Sequence, residues 1–278
     1  MPCGNATACP AGEGLQHDVW FVIKTPHARN LQLACVLCTR RTMIGQVQIN
    51  WSIFPMFAPF KHNFRRTFPN LFLRPEGEEG IRMAGHRLYV GGAWDEIGTL
   101  QFEFLKQQGL KPDSYLLDIA CGALRLGVHA IPYLDRGHYF GIEKEKTLLD
   151  VGVQEELGTE RYITHQPQLI VSSSFEFQRF TVRPDFAIAQ SLFTHLTPEM
   201  IDLCFNNLRS MMKANTVFFA TYFRKKGNFK NPSTSHDHGF FAYTQEEMLA
   251  FGTRAGFKAR YIGDWKHPRK QVMVEYRI

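Results

Sequence analysis

The sequence predicts an α/β protein: a seven-stranded, mainly parallel sheet with an antiparallel last strand and helices on both faces. An irregular extension precedes it. Three observations carry this. Strand and helix patterns alternate beyond residue 90, which is how a parallel sheet is wound. The first strand runs into an acid and two small residues, in LLDIACGALRLG. Only the short KHPRK stretch joins the last two strands, and a link that short makes them antiparallel.

The elements follow in order. GGAWDEIGTLQFEFLKQQGLKP is a helix with Ile97, Leu100 and Phe104 on one face, stopped by Gly109 and Pro112. SYLLDIA is a buried strand, and Leu124, Val128 and Ile131 mark a helix after it. HYFGIE is the next strand, and TLLDVGVQEELG a helix stopped by Gly158. QLIVSS and DFAIAQ are two more strands. Thr197 and Pro198 then open a helix whose apolar residues Ile201, Cys204, Phe205, Leu208, Met211 and Met212 recur every three or four positions. TVFFATYF is a strand. Thr244 and Glu247 form a capping box for a helix that ends at Gly256. FKARYIGDW and QVMVEYRI close the sheet.

The chain has 278 residues, 44% apolar and 21% charged, which excludes a globally disordered chain. Its +6 net charge is too mild to argue for a nucleic-acid binder. Six cysteines are too few for a disulfide framework. No apolar run reaches the ~18 residues of a membrane span. The N-terminus lacks the basic start and apolar core of a secretory signal, so the expected setting is cytoplasmic.

From Val19 to Pro75 there is no acid, while Lys24, Arg29, Arg40, Arg41, Lys61, Arg65, Arg66 and Arg74 fall in that stretch. The expected division is a basic, proline-rich extension over 1–80 and a regular α/β domain over 81–278, with the boundary in the acidic turn PEGEEG. Three readings of the extension stay open: a loosely packed segment, a transit peptide, or translation from an upstream start. VQINWSI alternates at period two, as a strand does. Cys35 and Cys38 form one tight pair, which without a second is not a zinc knuckle. No metal is expected.

The chemistry sits at strand ends. Asp118 ends the first strand, with Ala120 and Gly122 at the small positions of D-x-[GA]-x-G. Small residues let a ligand approach the backbone at the carboxyl edge of the sheet. An acid there suits a cationic amine and not a pyrophosphate, and the G-x-G-x-x-G of a nicotinamide site is missing. This disfavours a nucleotide-dependent oxidoreductase. Glu143 lies at the tip of the second strand, where a carboxylate can accept both ribose hydroxyls.

At these residues the chain resembles the class I S-adenosylmethionine-dependent methyltransferases, a Rossmann-like superfamily, and most of all a bacterial group described only as a methyltransferase domain. The resemblance spans about residues 85–278 through HRLYVGGAWDEIGTLQFEFL, LLDIACGALRLG, YFGIE, FAIAQSLFTHL and YIGDWKHPRKQ. It implies S-adenosylmethionine as cofactor. Asp118, Ala120 and Gly122 would line its methionine end and Glu143 its ribose. Ser172 and Ser173 would sit near the adenine, and Gln190 and Ser191 beside the transferred methyl. Two departures stand out: Ala120 where the superfamily usually has Gly, and Ser173 where many relatives have Asp.

Two roles fit His195: a general base for a hydroxyl, or a histidine closing the loop before Thr197. Trp94 is either part of a lid over the cofactor or a core residue. The Gly263–Lys270 loop lies at the active-site rim, and Asp264, Trp265, His267 and Arg269 are its substrate-site candidates. Arg224, Lys225 and Lys226 lie on the same edge and suit an anionic acceptor. AQSL replaces the N-P-P-Y or D-P-P-Y of adenine methylation and the Pro-Cys of cytosine methylation. The expected acceptor is an oxygen or nitrogen of a small molecule, sugar or glycan intermediate. Two alternatives remain: a noncatalytic binding protein of the same fold, and an RNA methyltransferase using the basic N-terminal stretch.

Overall fold

A computed structural model describes residues 75–278, together with the backbone of strands β1 (Trp20–Phe21) and β2 (Ala34–Cys35). These two pair antiparallel, Trp20 opposite Cys35. The chain divides into two units, at Leu73 and Arg74. The period-two stretch VQINWSI and Cys38 lie outside the described residues.

The second unit opens with a helix that the sequence reading missed. α1 (Gly77–Ala84) occupies the stretch expected to be a turn, and residue 80 falls in its middle. Glu78 and Glu79 suit the positive end of the helix dipole, while Gly80 and Ile81 are buried. A one-turn helix, α2 (His86–Tyr89), follows. Gly91, Gly92 and Ala93 then all take positive φ, at 100°, 63° and 47°, turning the chain sharply into α3 (Trp94–Gln107).

The remaining elements are β3 (Leu116–Ile119), α4 (Gly127–Tyr133), β4 (Tyr139–Glu143), α5 (Lys146–Val151), α6 (Thr159–His165), β5 (Gln168–Val171), β6 (Phe186–Ala189), α7 (Pro198–Met211), β7 (Val217–Arg224), β8 (Ala242–Tyr243), α8 (Gln245–Arg254), β9 (Lys258–Asp264) and β10 (Val272–Arg277). α4 starts three residues later than its apolar pattern suggests, because Leu124 is left-handed at φ 66°. Residues Gly152–Leu157 continue α5 as a wider π turn up to Gly158. The capping box forms as expected: the Glu247 amide donates to Thr244 Oγ1 at 3.1 Å, and the Thr244 amide to Glu247 Oε2 at 2.6 Å.

The sheet order is β5-β4-β3-β6-β7-β10-β9, with β8 alongside the end of β7. β10 is antiparallel to both neighbours, and the other pairings are parallel. The strand order reverses between β3 and β6, the position where an open α/β sheet leaves a crevice at its carboxyl edge.

Alternation along the strands makes two cores. Leu117, Ile119, Phe218, Ala220 and Tyr222 face α7 and α8, where Ile201, Phe205, Leu208, Met248 and Phe251 bury. Leu116, Val217 and Phe219 face the other way, toward Phe104, Leu105 and Ile131. This is the period of two expected of strands covered on both faces. Among the described residues no helix is long and apolar enough to cross a membrane.

Close approach fixes the loop after β3. A Cβ on Gly152 would lie 2.8 Å from the Ala123 backbone. Gly152→Ala is therefore expected to push the π turn off that loop and destabilise the protein by about 1–3 kcal/mol, as overpacking does. Chemical denaturation of the two forms measures it.

Candidate functional site

β3 carries Asp118 to the carboxyl edge, where it is 3% exposed. The chain then passes through Ala120 at φ 59° and Gly122 at φ 57°. A non-glycine residue in this region is uncommon and strained, so Ala120 holds its conformation against its own Cβ. A Cβ on Gly122 would meet Val90 Cγ1 at 3.1 Å. The two small positions thus have separate reasons: one a left-handed backbone, the other a close neighbour as well.

Glu143 ends β4 with its carboxylate turned back onto this loop. Oε2 accepts the Gly122 amide at 3.0 Å, and Oε1 accepts the amides of Lys144 at 2.9 Å and Glu145 at 3.1 Å. Burial pushes its pKa up, and the three N–H donors oppose that. A carboxylate has about four acceptor positions, so these three bonds leave room for a ligand hydroxyl. Burial also lifts Asp118 to about 7, against the Tyr139 hydroxyl that donates to its Oδ2 at 2.7 Å and the charge of Arg125.

A cavity of about 470 Å³ opens over these groups. Asp118, Ala120, Gly122, Glu143, Ser172, Ser173, Gln190 and Ser191 all line it, as does His195. Ser191 is left-handed at φ 67°, and its amide donates to Thr221 Oγ1 at 2.7 Å, which pins the turn after β6 to β7. His195 Nδ1 is buried with no partner among the described residues. Burial holds the His195 pKa below the ordinary imidazole value, with Asp237 pulling the other way.

The rim candidates separate. Arg269 lines the cavity and its guanidinium donates to the Gly91 carbonyl. Trp94, Asp264, Trp265 and His267 do not line it. Trp94 packs with Ile81, Ala123 and Leu148, under the Arg87 guanidinium 5.2 Å away. Trp265 is core: it meets Phe104 edge-on at 5.6 Å and stacks on His267 at 5.3 Å. Asp264 only caps its own turn, accepting the Lys266 amide at 2.9 Å. The loop reaches the sheet edge as expected, but three of its four candidate side chains turn inward or away, because an apolar ring beside β10 gains more from burial than from a wet rim.

His267 acts from behind the cavity wall. It is 1% exposed, and Gln190 Nε2 donates to its Nε2 at 3.1 Å. Gln190 Oε1 in turn accepts Arg125 Nη2 at 2.5 Å. The two bonds hold the Gln190 amide in one orientation. Arg125 is a residue that the sequence reading missed. It is 8% exposed, lines the cavity, and gives Nη1 to the carbonyls of Val90 at 3.3 Å and Gly92 at 3.2 Å. Its signal was a cation in LLDIACGALRLG, one turn after the small residues.

Burial, with Arg125 and Arg269 nearby, pushes the His267 pKa down to about 4. His267 is therefore neutral in the fold, and the unfolded chain binds the extra proton between pH 6.5 and 4. Stability is expected to be full above about pH 6.5 and to fall by up to about 3 kcal/mol as pH drops through that window. His267→Gln should flatten this slope, as read by urea denaturation across pH.

The cavity also has a roof that sequence reasoning did not find. The Tyr89 hydroxyl donates to Asp237, which also accepts Lys144 Nζ, and the Gly77 amide donates to the Tyr89 oxygen at 2.8 Å. His236 pairs with Glu76 at 2.8 Å, and His238 Nε2 lies 3.1 Å from the Pro75 carbonyl. Segment 75–92 and the loop before β8 are thus joined at several points. Periodicity carries no trace of such contacts, which link residues about 150 positions apart.

No family model matches the chain. Solved structures do. A Nostoc punctiforme protein described as a proposed O-methyltransferase is 15% identical, covering 80% of this chain and 71% of its own, with a TM-score of 0.53. An O-methyltransferase family protein from Burkholderia thailandensis is 10% identical, covering 78% and 68%, also at 0.53. The magnesium protoporphyrin IX methyltransferase of Synechocystis, with bound S-adenosylhomocysteine, is 12% identical, covering 81% and 98%, at 0.49. The strand order, the reversed β10 and the two likenesses at 0.53 agree: the chain has the fold of the class I S-adenosylmethionine-dependent methyltransferases.

Proposed function

We propose that the protein binds S-adenosylmethionine and transfers its methyl group to an oxygen or nitrogen of a small molecule, sugar or glycan intermediate. One observation carries the reading. Glu143 and Asp118 end adjacent parallel strands on one cavity, and Glu143 is locked onto the Gly122 amide with acceptor capacity to spare.

The residues fit the cofactor's chemistry. Glu143 would hold the ribose by accepting one of its hydroxyls at the remaining acceptor position. Asp118, in a buried position, would take the cationic amine, whose charge would hold it ionised. Ala120 and Gly122 leave the wall bare beside the methionine end. Ser172 and Ser173 would hydrogen-bond the adenine side without a full charge. Gln190 and Ser191 would border the methyl, with Gln190 held by Arg125 and His267. The cofactor supplies an electrophilic methyl on a sulfonium, ready for in-line displacement.

Such a displacement needs alignment and a desolvated nucleophile more than an elaborate catalytic set. The roof of Tyr89, Lys144 and Asp237 would exclude water. His195, neutral near pH 7, would accept the proton of an acceptor hydroxyl. α1 would belong to the same domain, since its Gly77 amide donates to the hydroxyl of Tyr89, a cavity residue.

Calorimetry with S-adenosylhomocysteine tests the reading. Saturable binding, lost in Glu143→Ala, is the expected result. Absence of binding in the intact chain would overturn it. Binding with no methyl transfer to any extract component would favour a noncatalytic binding protein of this fold.

A further inference from the structure

β7 ends at Arg224 on the carboxyl edge of the sheet, and the chain there runs RKKGNFK before turning back toward β8. No acid occurs between Arg224 and Asp237. Arg224 faces Glu246. Lys225, Lys226 and Lys230 form no ion pair among the described residues.

Beside them lies a cluster of three aromatic rings. Phe223 and Phe240 stack at 4.7 Å, and Phe229 meets Phe240 edge-on at 5.3 Å. Phe240 stays 50% exposed, one of few large apolar side chains that do so among the described residues. The loop that carries the ledge also reaches the cavity. Ser235, His236, Asp237 and His238 of the same loop line the cavity, and the loop is tied to its wall by the His236 amide on the His195 carbonyl at 3.0 Å and the Phe241 amide on the Thr194 carbonyl at 2.9 Å.

We propose that this ledge binds a diphosphate group on the methyl acceptor, with the acceptor's organic body against Phe240 and its reacting end in the cavity. The proposal rests on the methyltransferase reading above and names its substrate class. Three uncompensated cations within six residues exceed what one carboxylate requires. They are lysines, point charges on flexible stems that can gather around phosphate oxygens from several directions. An exposed aromatic plate beside them would cover a planar or apolar body. The positive surface is short: Asp237, Glu145 and Glu76 follow at the cavity mouth. A nucleic-acid strand needs a longer charged track.

The test is calorimetry on the full chain at low salt, with inorganic pyrophosphate as the probe. Saturable binding is expected. It should weaken about tenfold or more in the triple variant Lys225→Gln, Lys226→Gln, Lys230→Gln, and fall steeply as salt rises. S-adenosylhomocysteine affinity, measured alongside, should not change in that variant. Uridine diphosphate and geranyl diphosphate then distinguish the source. Weakening of only one of them by Phe240→Ala identifies a nucleoside or an isoprenyl body. No saturable pyrophosphate binding, equal affinity in the triple variant, or no effect of Phe240→Ala on either ligand would overturn the proposal. So would tighter binding of a short single-stranded RNA. Failure of pyrophosphate with intact S-adenosylhomocysteine binding removes the ledge alone, and failure of S-adenosylhomocysteine removes the methyltransferase reading.

Discussion

His195→Ala is expected to lower the methyl-transfer rate to a hydroxyl acceptor by about 10²–10⁴-fold, the usual contribution of a positioned base. Cofactor affinity should stay as in the wild type, because the proposed reading gives His195 a contact with the acceptor and none with the cofactor. The pH profile supplies a second reading. A base must be neutral to accept a proton, and burial lowers the His195 pKa. The rate should therefore hold steady as pH falls to the ordinary imidazole value and decline only beneath it. His195→Gln should abolish that low-pH limb along with the rate. Single-turnover transfer with labelled cofactor measures both. Full activity in His195→Ala would leave the residue as the loop closure that carries the His236 amide on its carbonyl.

Glu143→Ala is expected to weaken S-adenosylmethionine binding by tenfold or more, and Asp118→Ala to do likewise. A hydrogen bond to a charged group contributes roughly 1.5–3 kcal/mol. The Glu143 change should be the larger of the two. It removes the ribose acceptor and leaves the amides of Gly122, Lys144 and Glu145 without their partner. Those amides shape the loop that carries Gly122, so the preorganised wall is lost with the contact. Asp118→Asn separates charge from shape, since an amide oxygen can still accept the Tyr139 hydroxyl. Loss of affinity in Asp118→Asn would assign the effect to charge. Calorimetry at pH 8, above the raised Asp118 value of about 7, keeps the wild-type carboxylate ionised for the comparison.

The strands and the two-sided core were legible because they are local or periodic. Asp118 and Glu143 stand out as acids at the ends of apolar strands, and the capping box at Thr244 and Glu247 is a four-residue pattern. Other features were misread for identifiable reasons. The acidic PEGEEG run looks like a turn by composition, yet its acids sit at the start of α1, where the helix dipole favours them. Trp265 and His267 look like site residues because their side chains can do chemistry. The structure instead buries Trp265 against Phe104 and places His267 behind Gln190.

The sequence by itself determined the succession of strands along the chain and their directions, and it singled out two carboxylates at the carboxyl ends of adjacent strands. Hydrophobic period and loop length suffice for that, because each acts over a few residues. Tertiary structure alone decided the rest: that Arg125 and His267 clamp Gln190, that Tyr89 and Lys144 converge on Asp237 above the cavity, and that Phe240 stays exposed beside three lysines. These depend on where side chains from distant segments point and on what is left over once the apolar surface has been buried. That remainder follows from packing the whole chain at once, and no local pattern encodes it.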